Sequence, residues 1–319
     1  MDLNKLLSIL ADGQFHSGSE LGVHLGVSRT AVWKAMPLLE QFGIAVEVIK
    51  GKGYRIGAGL DLIDLELVKA HLLAKTLAKV HMSVLLSCRS TNDYLLNDEC
   101  GSNGSIYRVC FSEHQTAGKG RRGREWVSPF AKNLLLSSAF NLQGGVDVLA
   151  GLSLVVGIAV GKAIKKLGVD NVKIKWPNDV YIDDKKIAGI LLELTGEATT
   201  SWKVVCGIGL NVLMGQNDGA QINQEWCSLE GYIKVKRSDV AGVVLSSLLE
   251  HLELFKQKGF KKFMGEWEVF DWLSGKQIVI MPSGLTGVAK GVNKQGALLI
   301  ETLTGIEEVN AGEVSVRCL

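Results

Sequence analysis

Glu113-His114-Gln115-Thr116-Ala117-Gly118-Lys119-Gly120-Arg121-Arg122-Gly123-Arg124-Glu125-Trp126 is the most informative stretch of the chain. Four of the seven residues 118–124 are Lys or Arg and the other three are Gly. Glycines let backbone N–H groups approach an anion closely, and guanidinium groups donate in pairs to phosphate or carboxylate. A P-loop requires Ser or Thr after Gly-Lys, whereas Gly120 follows Lys119. The Rossmann fingerprint fails at Gly207-Ile208-Gly209-Leu210-Asn211-Val212, which lacks the third glycine. The loop therefore reads as an anion loop of another kind, set against a merely solvated basic loop or an RNA-binding segment.

Two clusters downstream tip that balance. Lys175-Trp176-Pro177-Asn178-Asp179 places a cation, an amide and a carboxylate at a strand end broken by Pro. A turn at Asp183-Asp184 leads into Lys185-Lys186-Ile187-Ala188-Gly189-Ile190-Leu191-Leu192-Glu193, which reads as a hairpin with Lys186 and Gly189 near its start. The surrounding segment, 61–272, alternates strands and helices. Strands are expected at Ser83–Ser87, Ile106–Ser112, Leu134–Phe140, Val172–Trp176, Asp179–Ile182, Gly189–Leu194 and Lys203–Leu210, and helices at Asp147–Leu167 and Ser238–Gln257. Runs of strands with segregated helices fit an α+β domain.

Two smaller units flank it. In 1–60, Leu3, Leu6, Leu7 and Leu10 give a first helix its apolar stripe. Ser19-Glu20-Leu21 opens a second helix, and Ser28 caps a third that runs from Arg29 to about Phe42. Val46, Val48 and Gly51–Ile56 then form a small basic hairpin, completing a winged helix-turn-helix pattern, with Gly57-Ala58-Gly59 as linker. Pro37 removes a helical N–H and should kink the third helix or end its regular part near Met36. In 273–319, five short strands separated by Gly-containing turns suggest an SH3-like β-barrel. The whole is an α+β multidomain chain.

The 319-residue length allows two or three domains, and 47% apolar with 21% charged residues excludes a mostly disordered protein. A net charge of +2 argues against bulk coating of nucleic acid or anionic membrane, though a local basic site remains open. The uncharged run Val148–Gly161 is shorter than the roughly 20 residues of a membrane span, and the N-terminus lacks the pattern of a signal peptide. Six scattered cysteines without a C-x-x-C pair are expected as reduced core thiols of a cytoplasmic protein.

Ser90-Thr91-Asn92, Gln115 with 118–124, Lys175–Asp179, Lys186 with Gly189, and Gly207–Asn211, in this order, closely resemble the biotin–protein ligases. The winged helix makes the match closest to the bifunctional bacterial members, the biotin operon repressors. The resemblance covers nearly the whole chain and implies a two-step reaction. Biotin and MgATP give biotinyl-5′-adenylate, and a lysine of biotin carboxyl carrier protein then takes the biotinyl group.

By the same resemblance Ser90, Thr91 and Asn92 lie along the biotin ring, with Gln115 closing over it. Gly118, Gly189, Leu191 and Gly207 shape the biotin site. Lys119, Gly120 and Arg121 clamp carboxylate and α-phosphate, and Lys186 bridges the same oxygens. Lys119, Arg121 and Lys186 are thus the expected catalytic groups. Arg122, Arg124, Trp126, Lys175, Asn178 and Asp179 serve ATP and the adenylate, with Asp179 near Mg²⁺, and Asn211 and Trp226 flank adenine. Ser90-Thr91 also reads as a helix cap, and Trp226 as a core residue. Where the family often has Arg, this chain has Lys119, which keeps the charge but loses the planar fork. Looser retention of the adenylate is expected, and slower release in Lys119→Arg. His114 reads as a bystander rather than a base.

The third helix presents Ser28, Arg29, Thr30, Trp33 and Lys34 to DNA, and the wing adds Lys50, Lys52, Tyr54 and Arg55. Residues 1–60 carry six basic and five acidic side chains, so one copy is a weak DNA binder and a dimer is expected. The resemblance implies that the adenylate promotes that homodimer at biotin operator DNA. A biotin-sensing repressor with a dead enzyme domain, a lipoate-type ligase of the same fold, and an RNA-binding protein are the rival readings.

Overall fold

The computed structural model describes residues 1–57, 59–98, 106–197, 201–312 and 314–319. The expected linker residue Ala58, Cys100 and the first residue of the expected last strand, Glu313, lie outside them. The first unit holds α1 (Leu3–Leu10), α2 (Gly18–Leu25), α3 (Arg29–Glu40) and the hairpin β1 (Glu47–Ile49)–β2 (Gly53–Arg55). Asp2 caps α1, and Leu6, Leu7 and Leu10 turn inward at helical spacing. The second helix starts earlier than expected, because Ser17 and Glu20 form a reciprocal capping box around Gly18. It ends at Gly26, whose φ of +65° suits glycine.

Ser28 caps α3 through the Ala31 N–H. The helix runs through Pro37 to Glu40 instead of ending near Met36. Pro37 is exposed, so the carbonyl it leaves unpaired one turn back can be met by water.

The central unit comprises α4 (Leu65–Ala70), α5 (Ala74–Leu77), β3 (Val80–Leu85), α6 (Thr91–Leu96), β4 (Tyr107–Ser112), β5 (Asn133–Gln143), α7 (Leu152–Lys166), β6 (Val172–Lys175), β7 (Asp179–Ile182), β8 (Lys185–Glu197), β9 (Ser201–Asn211), α8 (Arg237–Lys258) and α9 (Met264–Phe270). Its seven strands form one sheet in the order β3-β4-β5-β9-β8-β7-β6. Only the β3–β4 pair is parallel among the ladders of this sheet. The first strand lies earlier than the expected 83–87, and the expected helix from 147 begins at Leu152 after a 3₁₀ turn, where Gly151 has φ +74°.

Alternation along the strands divides the sheet into two faces. Leu136, Ile190, Cys206 and Ile208 join the main core, while Ala139 and Val205 join Leu95 of α6 in a small cluster. The large face is covered by α7 and α8. Residues 146–166 are apolar and long enough to cross a membrane, but most of that stretch is buried inside the protein, as in a core helix. The opposite face is left to α6 and the loops, and it carries the cavity described below.

The last unit has five antiparallel strands, β10 (Gln277–Met281), β11 (Thr286–Val292), β12 (Leu298–Thr302), β13 (Gly305–Val309) and β14 (Ser315–Cys318). They pair in the order β13-β12-β11-β10-β14. Cys110, Cys206 and Cys227 are buried and Cys88 is half-buried, but Cys318 is exposed, so not all of the thiols belong to the core.

Candidate active site

Ladder register builds the floor of the site. Gly189 on β8 pairs with Gly209 on β9, and Gly209 pairs with Leu135 on β5. Two residues along, Leu191 pairs with Gly207 and Gly207 with Ser137. All six therefore project to the same face. The glycines are required by what lies above them. A Cβ on Gly209 would sit 2.4 Å from Trp126 Cε2, and one on Gly207 would sit 2.4 Å from Asn92 Oδ1.

A cavity of about 710 Å³ opens over this floor. At one end stands the start of α6. Ser90 occupies the N-cap position in extended backbone, but its side chain makes no capping bond. The Thr91 N–H and hydroxyl both donate to Gln115 Oε1, at 2.8 and 3.1 Å. Asn92 accepts from Ser137 at 2.6 Å and donates to Glu193 Oε2 at 2.7 Å. Ser90, Thr91, Asn92 and Gln115 thus gather as a polar cluster, with the first three side chains buried.

The glycine-basic loop forms one wall. It folds on itself through Gly120 N–H to Arg124 O and Trp126 N–H to Gly118 O. Arg122 and Gly123 take φ values of +58° and +71°, the left-handed pair that turns the chain. Arg121 reaches Asn178 Oδ1 at 3.2 Å and the carbonyls of Ala311, Gly312 and Val314 in the last unit. Arg122 donates to Ser315 Oγ. Lys119 is held by Asp93 and by Glu193 Oε1 at 3.7 Å.

The opposite wall follows from the β6–β7–β8 meander. Pro177 follows β6 with a cis peptide bond, and Asp183 and Asp184 have positive φ between β7 and β8, a pattern of tight hairpin turns. Asn178 is locked by its bond to Ile190 O. Lys186 Nζ lies 2.9 Å from Asp179 Oδ1 and 5.6 Å from the Trp126 ring centroid. Lys175 lies over Trp272 and Tyr181, and burial lowers its pKa from the ordinary lysine value. A wall carrying half-buried Lys175, Lys186 and Arg121, with Arg124 exposed at its rim, around a glycine floor is suited to hold an anionic group against backbone.

Asn211 and Trp226 stand apart from this lining. Asn211 is buried and donates to Cys227 O, while Trp226 packs against Gly219 and makes a bridge to Lys186. Gly118 of the loop is likewise outside this lining; a Cβ there would meet Trp126 O at 2.6 Å. His114 is bonded to Ser87 and stacked edge-on against Phe42, outside the cavity lining.

In the first unit, Ser28, Arg29, Thr30, Trp33 and Lys34 are exposed along α3, with Trp33 62% exposed. Lys50 and Lys52 are exposed on the turn between β1 and β2. Tyr54 corrects the expected wing surface: it points inward, joins the core of this unit and is only 8% exposed. Arg55 is paired with Glu47 at 2.6 Å and lies over Phe15.

Residues 84–211 match the biotin/lipoate A/B protein ligase family, residues 276–317 the biotin protein ligase C-terminal domain, and residues 2–55 an HTH domain. The bifunctional ligase/repressor BirA of Escherichia coli (strain K12) is 39% identical over 316 residues, which are 98% of this chain and 96% of that protein. The chain belongs to the bifunctional biotin–protein ligase/repressor family. BirA of Bacillus subtilis (strain 168) is 28% identical over 99% of this chain and 98% of its own. A solved biotin protein ligase from Aquifex aeolicus, in complex with biotin and ATP, matches with a TM-score of 0.64 and 30% identity, over 75% of this chain and 99% of that one.

Sequence reasoning missed several residues that this ligase/repressor chain brings to the cavity region. Ser137 was hidden inside an apolar strand and is identified only by its register opposite Gly207. Val314, Ser315, Val316 and Arg317 come from a separate unit, and Tyr181 from the meander. Asp93 and Glu193 carry no motif. Their one sequence signal is charge beside residues already singled out.

Proposed function

We propose that the protein is an ATP-dependent biotin–protein ligase that also acts as a biotin-responsive repressor of transcription. The observation that carries this reading is the cavity itself, where a polar α6 terminus, a glycine floor and a cationic loop meet in one site within a chain of this family. Biotin lies with its ring at Ser90, Thr91, Asn92 and Gln115, and with its carboxylate directed along the floor toward Lys186 and Arg121. ATP takes the other half, beside Arg122, Arg124, Trp126, Lys175, Asn178 and Asp179.

In the first step a biotin carboxylate oxygen attacks the α-phosphorus and the bond to the β-phosphate oxygen breaks, releasing pyrophosphate. Positive side chains fixed around the reacting oxygens stabilise the charge that develops. In the second step the acceptor lysine Nζ attacks the acyl carbon, AMP leaves, and the amine proton passes to solvent or carrier. His114, engaged with Ser87 and Phe42, is unsuited to serve as base.

Among the described residues no group of three or more His, Cys, Asp or Glu side chains is placed to hold a metal. Asp179, beside Lys186, is the carboxylate that fits a Mg²⁺ brought by ATP and held mainly by phosphates, where the ion would offset phosphate charge.

Three units divide the labour: 1–60 for DNA, 61–272 for catalysis and 273–319 closing the site through Arg121 and Arg122. Arg29, Thr30, Trp33 and Lys34 on α3 and Lys50 and Lys52 on the wing face the DNA. Two copies are needed, because one presents a net charge of only +1 over residues 1–60. Adenylate-linked homodimerisation would supply the second copy at the biotin operator, and a cytoplasmic setting supplies ATP, carrier and DNA. The deciding assay is labelling of a biotin carboxyl carrier domain with biotin, with and without ATP. Labelling that needs both supports the reading; biotin-dependent DNA binding without pyrophosphate release would leave a repressor only. Sedimentation with biotin and ATP tests the dimer.

A further inference from the structure

Lys119 lies where the basic loop crosses the first turn of α6, and two carboxylates from different elements converge on its ammonium. Asp93, in that first turn, bonds it directly. Glu193, on β8, places Oε1 at 3.7 Å. The second oxygen of Glu193 accepts from Asn92 Nδ2 at 2.7 Å, so the same carboxylate grips both the loop and the polar end of the cavity. The hydrogen bond from Lys119 to Asp93 raises the lysine pKa above its ordinary value, which keeps the ammonium charged.

A second tie lies four residues upstream, where Gln115 Oε1 accepts from Thr91 N–H and hydroxyl. The loop is therefore fastened to α6 at two points, 115 to 91 and 119 to 93. One tie is neutral and inward. The other is ionic and solvent-facing, with Lys119 41% and Asp93 24% exposed at their side chains. An exposed ion pair is individually weak and is screened by salt. That is suitable for a fastening that must open once per turnover to admit biotin and release product. The charge count also matters: two carboxylates surround one ammonium, so Lys119 offers an incoming anion less than its formal charge suggests.

We propose that Asp93 and Glu193 are positioning residues that act through Lys119 to latch the 113–126 loop over the biotin end, and so set how slowly biotin and biotinyl-adenylate leave. The inference rests on the ligase reading above. It assigns Lys119 to loop closure more than to the phosphates. Lys119→Arg keeps the latch and, with a second N–H for Asp93, tightens it.

The test uses the full-length protein loaded with labelled biotin, alone and with MgATP, then chased with unlabelled biotin. Release is followed for the wild type, Asp93→Asn, Glu193→Gln, Lys119→Met and the Asp93→Asn/Lys119→Met pair. Asp93→Asn is expected to speed release about two- to fivefold, the upper part of the span of one surface ion pair. Adding Asp93→Asn to Lys119→Met should change nothing further. Wild-type release should quicken with ionic strength while that of Lys119→Met stays flat. Unchanged release in Asp93→Asn and Glu193→Gln, or additive effects in the pair, would overturn the latch. If the wild type retains no biotin, the ligase reading falls and the latch with it; if it retains biotin but the variants match it, only the latch falls.

Discussion

Glu113 and Arg237 form a buried ion pair, with Arg237 Nη1 2.6 Å from Glu113 Oε2 and the two side chains 0% and 4% exposed. Glu113 stands at the root of the basic loop and Arg237 at the start of α8. The other oxygen of Glu113 accepts from Ile63 N–H, and Arg237 also donates to Asp61 O and to Asn133 O. One pair thus fastens together the segment that follows the winged helix, the loop that walls the cavity, and the strand that floors it.

Removing either partner should therefore be costly. A lone buried charge left by its partner's loss destabilises by about 3–5 kcal/mol. Arg237→Leu and Glu113→Leu are each expected to lower the unfolding temperature strongly in a calorimetric scan. The double variant should lose less than the sum of the two, since neither charge is then stranded. Additive losses would mean that the two side chains act independently.

Gly209 offers a test of the floor. An added methyl would sit 2.4 Å from Trp126 Cε2 and 2.5 Å from Nε1, so Gly209→Ala must push the indole off the floor. Overpacking of this kind costs about 1–3 kcal/mol. Biotin-dependent pyrophosphate release should fall by an order of magnitude or more, on the order expected when a reacting group shifts by about 1 Å. Activity close to wild type would mean that the indole position is immaterial.

Lys186, with its side chain only 13% exposed, lies over the floor between Asp179 and the Trp126 ring. Lys186→Met keeps most of the volume and deletes the charge. Adenylate formation is expected to fall about 10²–10³-fold, the usual effect of losing one group that stabilises a developing charge. Single-turnover formation of labelled biotinyl-adenylate measures this directly. A smaller loss for Asp179→Asn is expected, because that variant frees Lys186 without removing it.

Mild acid should loosen the protein through its buried histidines. Burial depresses the pKa of both His114 and His251 below the ordinary imidazole value. Well above about pH 6.5 these rings are neutral folded and unfolded alike, so their burial carries no protonation cost. As pH falls, the unfolded chain takes up protons first, and stability drops until the depressed folded values are passed. The melting temperature should therefore decline from pH 7 to pH 5. His114→Asn should flatten part of that decline, and a slope identical to wild type would count against His114.

How much of this was legible beforehand divides along physical lines. Local signals carried the winged helix well, since Ser28, the leucine stripe and the glycine turn act within a few residues. The capping box at Ser17 is equally local, because Glu20 lies three residues on, as a reciprocal cap requires. The basic loop and the Lys175–Asp179 meander were legible because unusual residues cluster along the chain. What could not be read is register. That Ser137 faces Gly207, that Asp93 meets Lys119, and that the carbonyls of Ala311 and Val314 receive Arg121 are consequences of long-range pairing. Tyr54 failed for the reverse reason: an aromatic in a basic wing reads as surface until the strand's inward parity is known.

The DNA-facing surface gives the last prediction. Trp33 is 62% exposed on α3, beside Arg29, Thr30 and Lys34, and no core contact requires an indole there. A side chain that large and apolar, exposed among Arg29, Thr30 and Lys34, is expected to pack on base edges or sugar, whereas Lys50 and Lys52 meet phosphates. Trp33→Ala should weaken binding to a wild-type-selected DNA fragment by about 1–3 kcal/mol and relax its sequence preference. Lys50→Ala or Lys52→Ala should instead weaken all fragments alike and reduce the salt dependence by about one unit of slope per copy. Band-shift titrations at several salt concentrations separate the two outcomes. Labelling of the carrier domain by the same preparations reports that the central unit is intact. Equal weakening on every fragment by Trp33→Ala would place Trp33 on the backbone and remove α3 as the source of specificity.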